Sequence, residues 1–190
     1  MNETHPSHLC PDQRMADIVD AMQADDETLA PMLDEVRQTW PEDHRLAFLR
    51  GAVLAGAAQY EAARADFLAS LALAPGFSIA CFMLGFLDLT NGQVERAIES
   101  WQPLDALPVE DTLLVLKTGL LNLVEDRFEL AIAQLRAGMA SNERYPLINR
   151  YIADLLRQLE AAAPQAKPVE PPTGDADILV GNLPFPYSSR

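Results

Sequence analysis

Gly51, Gly85 and Gly119 stand 34 residues apart, and each carries the same neighbours with it. Twelve residues beyond each glycine lies an alanine: Ala63, Ala97 and Ala131. Four further on come the bulky apolar residues Phe67, Trp101 and Leu135, while Tyr60, Val94 and Phe128 lie nine beyond the glycines. With nine glycines in 190 residues, two more glycines would fall in register by chance about once in 400 trials, before the other columns are counted. A period of this length builds a repeated supersecondary unit rather than one continuous core.

The columns have a packing logic. The stretch "FMLGFLDLTNGQVERAIESW", residues 82–101, reads as two amphipathic helices separated at Asn91-Gly92. The turns "GAAQY", "TNGQV" and "VEDRF" are small or polar and short enough to force antiparallel hairpins. Small residues at the glycine and alanine positions let paired helices approach closely, and the bulky residue four later fills the seam. Each hairpin keeps an apolar edge that it cannot bury alone, so hairpins must stack.

The pattern continues more weakly on both sides. Leu29, Met32, Leu33, Val36 and Trp40 form one helical stripe, so residues 27–40 read as the second helix of a degenerate leading unit. Met15, Ile18, Val19 and Met22 form its first helix. After the third unit, "YPLINRYIADLLRQLEAA" opens a terminal helix at Pro146. Pro103 falls inside the second helix of the middle unit and should cut or kink it near Trp101.

Net charge narrows the partners. The chain carries 28 acidic and 14 basic side chains, a formal charge of −14. Residues 1–44 hold 11 acids against two bases. Such a field repels phosphate backbones and anionic lipid, so neither nucleic acid nor a membrane surface is expected as a partner. Two cysteines make no disulfide framework, the first residues lack the basic start and apolar run of a signal peptide, and no apolar stretch is long enough to span a bilayer. The cytoplasm is the expected compartment.

The 34-residue period, the Leu84-Gly85 pair, the turn glycine Gly92, the alanine and bulky columns, and Pro75 closing the first clear repeat resemble the tetratricopeptide repeat (TPR) family. The likeness is strongest over residues 44–145. It departs from the family where Arg50 and Thr118 precede the column glycines, and where Leu54, Asp88 and Asn122 replace an aromatic. The resemblance implies an all-α, right-handed superhelix of three clear hairpins, one degenerate leading hairpin and a terminal helix. The expected organisation is a flexible N-terminus over 1–13, a single helical domain over 14–162, and a Pro-rich linker with an apolar tail over 163–190.

In that family the first helix of each repeat lines a concave groove. The matching positions here are Phe48, Ala52 and Ala55; Phe82, Phe86 and Leu89; Leu116, Leu120 and Leu123; and Arg150, Asp154 and Arg157 in the terminal helix. None of the nine in the three repeats is a lysine or asparagine, so the carboxylate-clamp mode known in TPR proteins is not expected. Such a groove would take an apolar peptide or amphipathic helix, with Arg150 and Arg157 available to an acidic group. A stripe at helical spacing is equally what a helix–helix core requires, and that alternative stands open here.

The tail supplies a second expectation. Residues 163–177, "APQAKPVEPPTGDAD", read as an extended linker. Beyond them Ile178, Leu179, Val180, Leu183, Phe185 and Tyr187 make the terminus apolar, and they are expected to dock on the chain's own groove, on a second copy, or on a partner. His5, His8 and Cys10 lack a fourth ligand, so no metal or cofactor is expected. Cys81 reads as a small buried hydrophobe. Acid pairs such as Glu42-Asp43 and Glu125-Asp126 sit at loops and helix starts, where carboxylates cap helices. No phosphate loop or nucleophile motif occurs, so no enzyme activity is expected. The reading is a non-catalytic adaptor or scaffold. A dedicated chaperone resembling the translocator chaperones of type III secretion is the alternative. A ligand sensor or enzyme would need polar groups such as Asp88, Asn122 and Asp154 to converge in the groove.

Overall fold

A computed structural model of the chain describes residues 9–24 and 29–162. Among these residues there are nine α-helices and no strand. They are α1 (Asp12–Gln23), α2 (Leu29–Thr39), α3 (His44–Gly56), α4 (Tyr60–Leu73), α5 (Ser78–Thr90), α6 (Val94–Trp101), α7 (Thr112–Val124), α8 (Phe128–Ala140) and α9 (Pro146–Ala162), with a 3-10 turn at Gln102–Ala106. No helix among the described residues is long and apolar enough to cross a membrane. The chain divides into two compact units, Met1–Ala80 and Cys81–Arg190, where the sequence led us to expect one domain over 14–162.

In the first unit α1 packs on α2, α2 on α3 and α3 on α4. Ile18, Leu33, Val36, Leu46 and Phe67 are buried at its centre, the stripes that helical periodicity marked. Flexibility was expected through residue 13, but Cys10 is held in place. The Cys10 N–H donates to Asp43 Oδ2 at 2.8 Å, and Arg45 Nη2 donates to the Cys10 carbonyl at 2.8 Å. Asp43 is also the N-cap of α3, accepting from the Arg45 N–H at 3.0 Å. Burial alone would raise the Asp43 carboxyl. The hydrogen bonds from the Arg45 side chain and from the backbone of Cys10 and Arg45 outweigh that and hold it below the ordinary carboxylate range. Asp66 on α4 receives two guanidinium groups, Arg37 at 3.0 Å and Arg50 at 3.1 Å.

In the second unit residues 81–90 of α5 are buried on every side, Asp88 and Thr90 included, the environment a predominantly apolar helix requires. Trp101 ends α6 and is fully buried, and Pro103 follows at the head of the 3-10 turn. The helix stops where the proline removes a donor and fixes φ, as the sequence indicated. Lys117 on α7 holds that turn: its Nζ donates to Asp105 Oδ1 at 2.6 Å and to the Trp101 carbonyl at 3.3 Å. Asp111 caps α7 by accepting from the Leu113 N–H. α7 pairs with α8, and α8 with α9.

The repeat is written into the backbone. The three hairpin turns place Ala58, Gly92 and Asp126 at φ 57°, 73° and 56°, again 34 residues apart. The next N–H of each turn reaches back to close the preceding helix: Gln59 to Leu54 O at 2.9 Å, Gln93 to Asp88 O at 2.8 Å, Arg127 to Asn122 O at 2.9 Å. This left-handed closure satisfies carbonyls that a helix end would otherwise leave orphaned. The glycine column is packed as its period implied. A Cβ added at Gly51 would meet Phe67 at 2.8 Å, one at Gly85 would meet Trp101 at 2.2 Å, and one at Gly119 would meet Leu135 at 2.9 Å. Each bulky residue therefore sits directly on the backbone of the helix before it.

Candidate functional site

The inward positions expected to form an open apolar surface are closed to water. Phe82, Phe86, Leu89, Leu116, Leu120 and Leu123 are all 5 % exposed or less. Phe82 stacks on Trp101 at 6.2 Å and on Phe86 at 6.3 Å, while Phe86 lies 6.1 Å from Tyr151 of α9. Leu116 presses on α8, where a Cβ at Gly138 would meet it at 2.7 Å. The surface expectation is corrected for these six. Large apolar side chains at helical spacing gain more from neighbouring rings and helix backbone than from an open groove. Phe48 is half-buried against Phe67 and Phe77. Arg150 and Arg157 are exposed on α9, and Arg157 pairs with Asp154. Ile178, Leu179, Val180, Leu183, Phe185 and Tyr187 lie outside the described residues.

The polar groups that a chemical site would need are engaged structurally. Asp88 accepts from Ser100 Oγ at 3.3 Å. Asn122 donates to Gln134 and accepts from Arg127 Nε at 2.7 Å, bracing the third turn. Cys10 and Cys81 are free and buried. Burial raises both thiols above their ordinary pKa, with the Asp43 charge adding to the effect at Cys10, the opposite of an activated nucleophile. Among the described residues no group of three or more His, Cys, Asp or Glu side chains could hold a metal. His5 and His8 lie outside them.

What the second unit does leave open is a groove of ≈ 440 Å³ between α8 and α9. Its floor and walls are Met139, Ala140, Ala153 and Leu156, with Arg136, Arg157 and Glu160 at one end and Asn149 at the other. Arg136 and Glu160 pair across it. Asn149 is fixed by its own bonds to Asn142 Nδ2 at 2.7 Å and to the Met139 carbonyl at 3.2 Å.

Ala153 gives this groove its meaning. It stands 34 residues after Gly119 and so occupies the fourth place in the glycine column. The first three places are capped by Phe67, Trp101 and Leu135 from the following helix. At Ala153 the small residue is partly exposed and lines an open groove instead. The signal was available in the sequence, since extending the column by one period names the residue. The inward positions Arg150, Asp154 and Arg157 flank it on the same helix but do not include it.

No protein-family profile, curated protein or solved structure matches this chain.

Proposed function

We propose that this chain is a non-catalytic protein–protein interaction module, a TPR-type right-handed superhelix serving as an adaptor or scaffold. The ligand is an apolar peptide or helix that presents one bulky side chain to the α8–α9 groove. The observation that carries this reading is the open fourth place of the small-residue column. Three such places, all glycine, are covered within the chain by a bulky apolar side chain, and the fourth offers an alanine beside Met139 and Leu156 with no further helix among the described residues. A seat of that shape suits an aliphatic or aromatic anchor, the side-chain type that dominates the energetics of protein interfaces. Arg157, exposed at the rim, adds selectivity for an acidic neighbour without adding much affinity.

Filling the seat tests the proposal. Ala153→Phe places a ring in the groove, and the exposed α6 position Ile98→Arg serves as a control away from it. Tagged full-length protein should retain a stoichiometric partner as wild type and as Ile98→Arg, and lose it as Ala153→Phe. Equal retention by all three variants would refute the placement.

A further inference from the structure

The groove's own geometry and the chain that leaves it identify an occupant. In the three hairpins the covering residue lies 16 positions beyond the small one. Sixteen beyond Ala153 is Val169, in a stretch where Pro164, Pro168, Pro171 and Pro172 fall within nine residues. Prolines at that spacing are incompatible with a helix interior, so the sequence does not carry the repeat's pattern through Val169. The next apolar material is "ILVGNLPFPY", residues 178–187.

Reach and shape both suit that segment. Fifteen residues, 163–177, separate it from the end of α9. A Pro-rich linker of that length is an extended spacer that reaches up to roughly 45 Å. The groove runs along α9 from Asn149 to Glu160, about 17 Å at the helical rise. The linker therefore reaches every point of the groove, and tethering raises the effective concentration of the segment there. Pro184 and Pro186 flank Phe185 and bias that stretch toward an extended conformation, which lowers the entropy lost on docking. An aromatic ring over a small residue is also what Phe67 and Trp101 already provide at Gly51 and Gly85.

We infer that residues 178–187 of this same chain dock in the α8–α9 groove, with Phe185 over Ala153. The inference rests on the reading of that groove as a docking seat and makes it self-occupied: a partner enters by displacing the tail. Recognition is apolar, through Met139, Ala140, Ala153 and Leu156.

The test uses the full chain with a photo-crosslinking benzoyl-phenylalanine at position 185. An equal mixture of isotopically light and heavy protein separates crosslinks within one chain from those between two. The expected product is an intrachain crosslink to residues 136–160, reduced at least tenfold by Ala153→Phe. As an independent readout, the Met139 methyl resonance of full-length protein should shift on Phe185→Asp. Crosslinks confined to other helices, crosslinks at mixed-isotope dimer mass, or no crosslink together with an unmoved Met139 methyl would each overturn the inference. Failure here is distinguishable from failure of the broader reading. If the crosslink is absent while Ala153→Phe still abolishes partner retention, only the tail assignment falls. If the crosslink forms while partner retention ignores Ala153→Phe, the groove belongs to the tail alone and the partner seat is elsewhere.

Discussion

Replacing Gly85 with alanine should be the most damaging single methyl addition in the glycine column. The added Cβ would lie 2.2 Å from Trp101 Nε1 and 2.5 Å from Cδ1 and Cε2, where about 3.5 Å is needed for a contact without repulsion. The indole cannot easily retreat. It is fully buried, its N–H donates to the Phe82 carbonyl at 2.9 Å, and its ring stacks on Phe82. Overpacking of this kind costs about 1–3 kcal/mol, and a strained or broken buried hydrogen bond adds roughly 1–3 kcal/mol. Against this, alanine gains about 1 kcal/mol over glycine inside a helix. The expected net loss is therefore about 1–5 kcal/mol. At Gly119 the obstruction is mainly the Leu135 side chain at 2.9 Å, so Gly119→Ala should cost less, about 1 kcal/mol. Urea unfolding monitored by circular dichroism gives both values from the midpoint and slope. If Gly85→Ala is neutral or stabilising, or costs no more than Gly119→Ala, the packing of bulky side chain onto bare backbone is not what fixes this hairpin.

Three further outcomes follow from the same geometry. Ala58 and Asp126 hold the left-handed turn position that Gly92 fills without strain, so Ala58→Gly should raise stability by about 0.5–1 kcal/mol in urea unfolding, while Gly92→Ala should lower it by about 1 kcal/mol. The lowered Asp43 carboxyl contributes stability that is fully present above about pH 4, its unfolded pKa, and is lost as pH falls through the folded value. Asp43→Asn should thus lower stability at pH 7 by about 2–3 kcal/mol and flatten the acid limb of a stability–pH curve; an unchanged limb would contradict the assignment. Lys117→Met should cost about 1–2 kcal/mol by leaving the Trp101 carbonyl without its cationic donor, and hydrogen exchange across residues 102–106 should rise.

Much of the architecture could be read from residue spacing, because its determinants are local. The glycine and bulky columns mark where one helix seats on another, and Pro103 marks the end of α6. The left-handed turn was legible only once, at Gly92. At Ala58 and Asp126 the closing hydrogen bonds impose the same φ on residues that do not advertise it. Which side of a helix meets water was not legible for Phe82, Phe86 or Leu120. Facing depends on where Trp101 and Tyr151 come to lie, and spacing within one helix does not carry that. The Asp43–Arg45–Cys10 and Asp66–Arg37–Arg50 clusters were invisible for a related reason: the first ties the side chains at the start of α3 to the Cys10 backbone ahead of α1, and the second joins side chains from α2, α3 and α4.

We propose the groove over Ala153 as the binding seat of this chain. The most direct test is to identify the protein retained by full-length chain, produce it separately, and measure its affinity for wild type, Ala153→Phe and Ile98→Arg by titration calorimetry. Ala153→Phe should weaken binding at least tenfold while keeping its helical circular dichroism, and Ile98→Arg should bind as wild type does. Unaltered affinity in Ala153→Phe, or a loss confined to Ile98→Arg, would contradict the proposal.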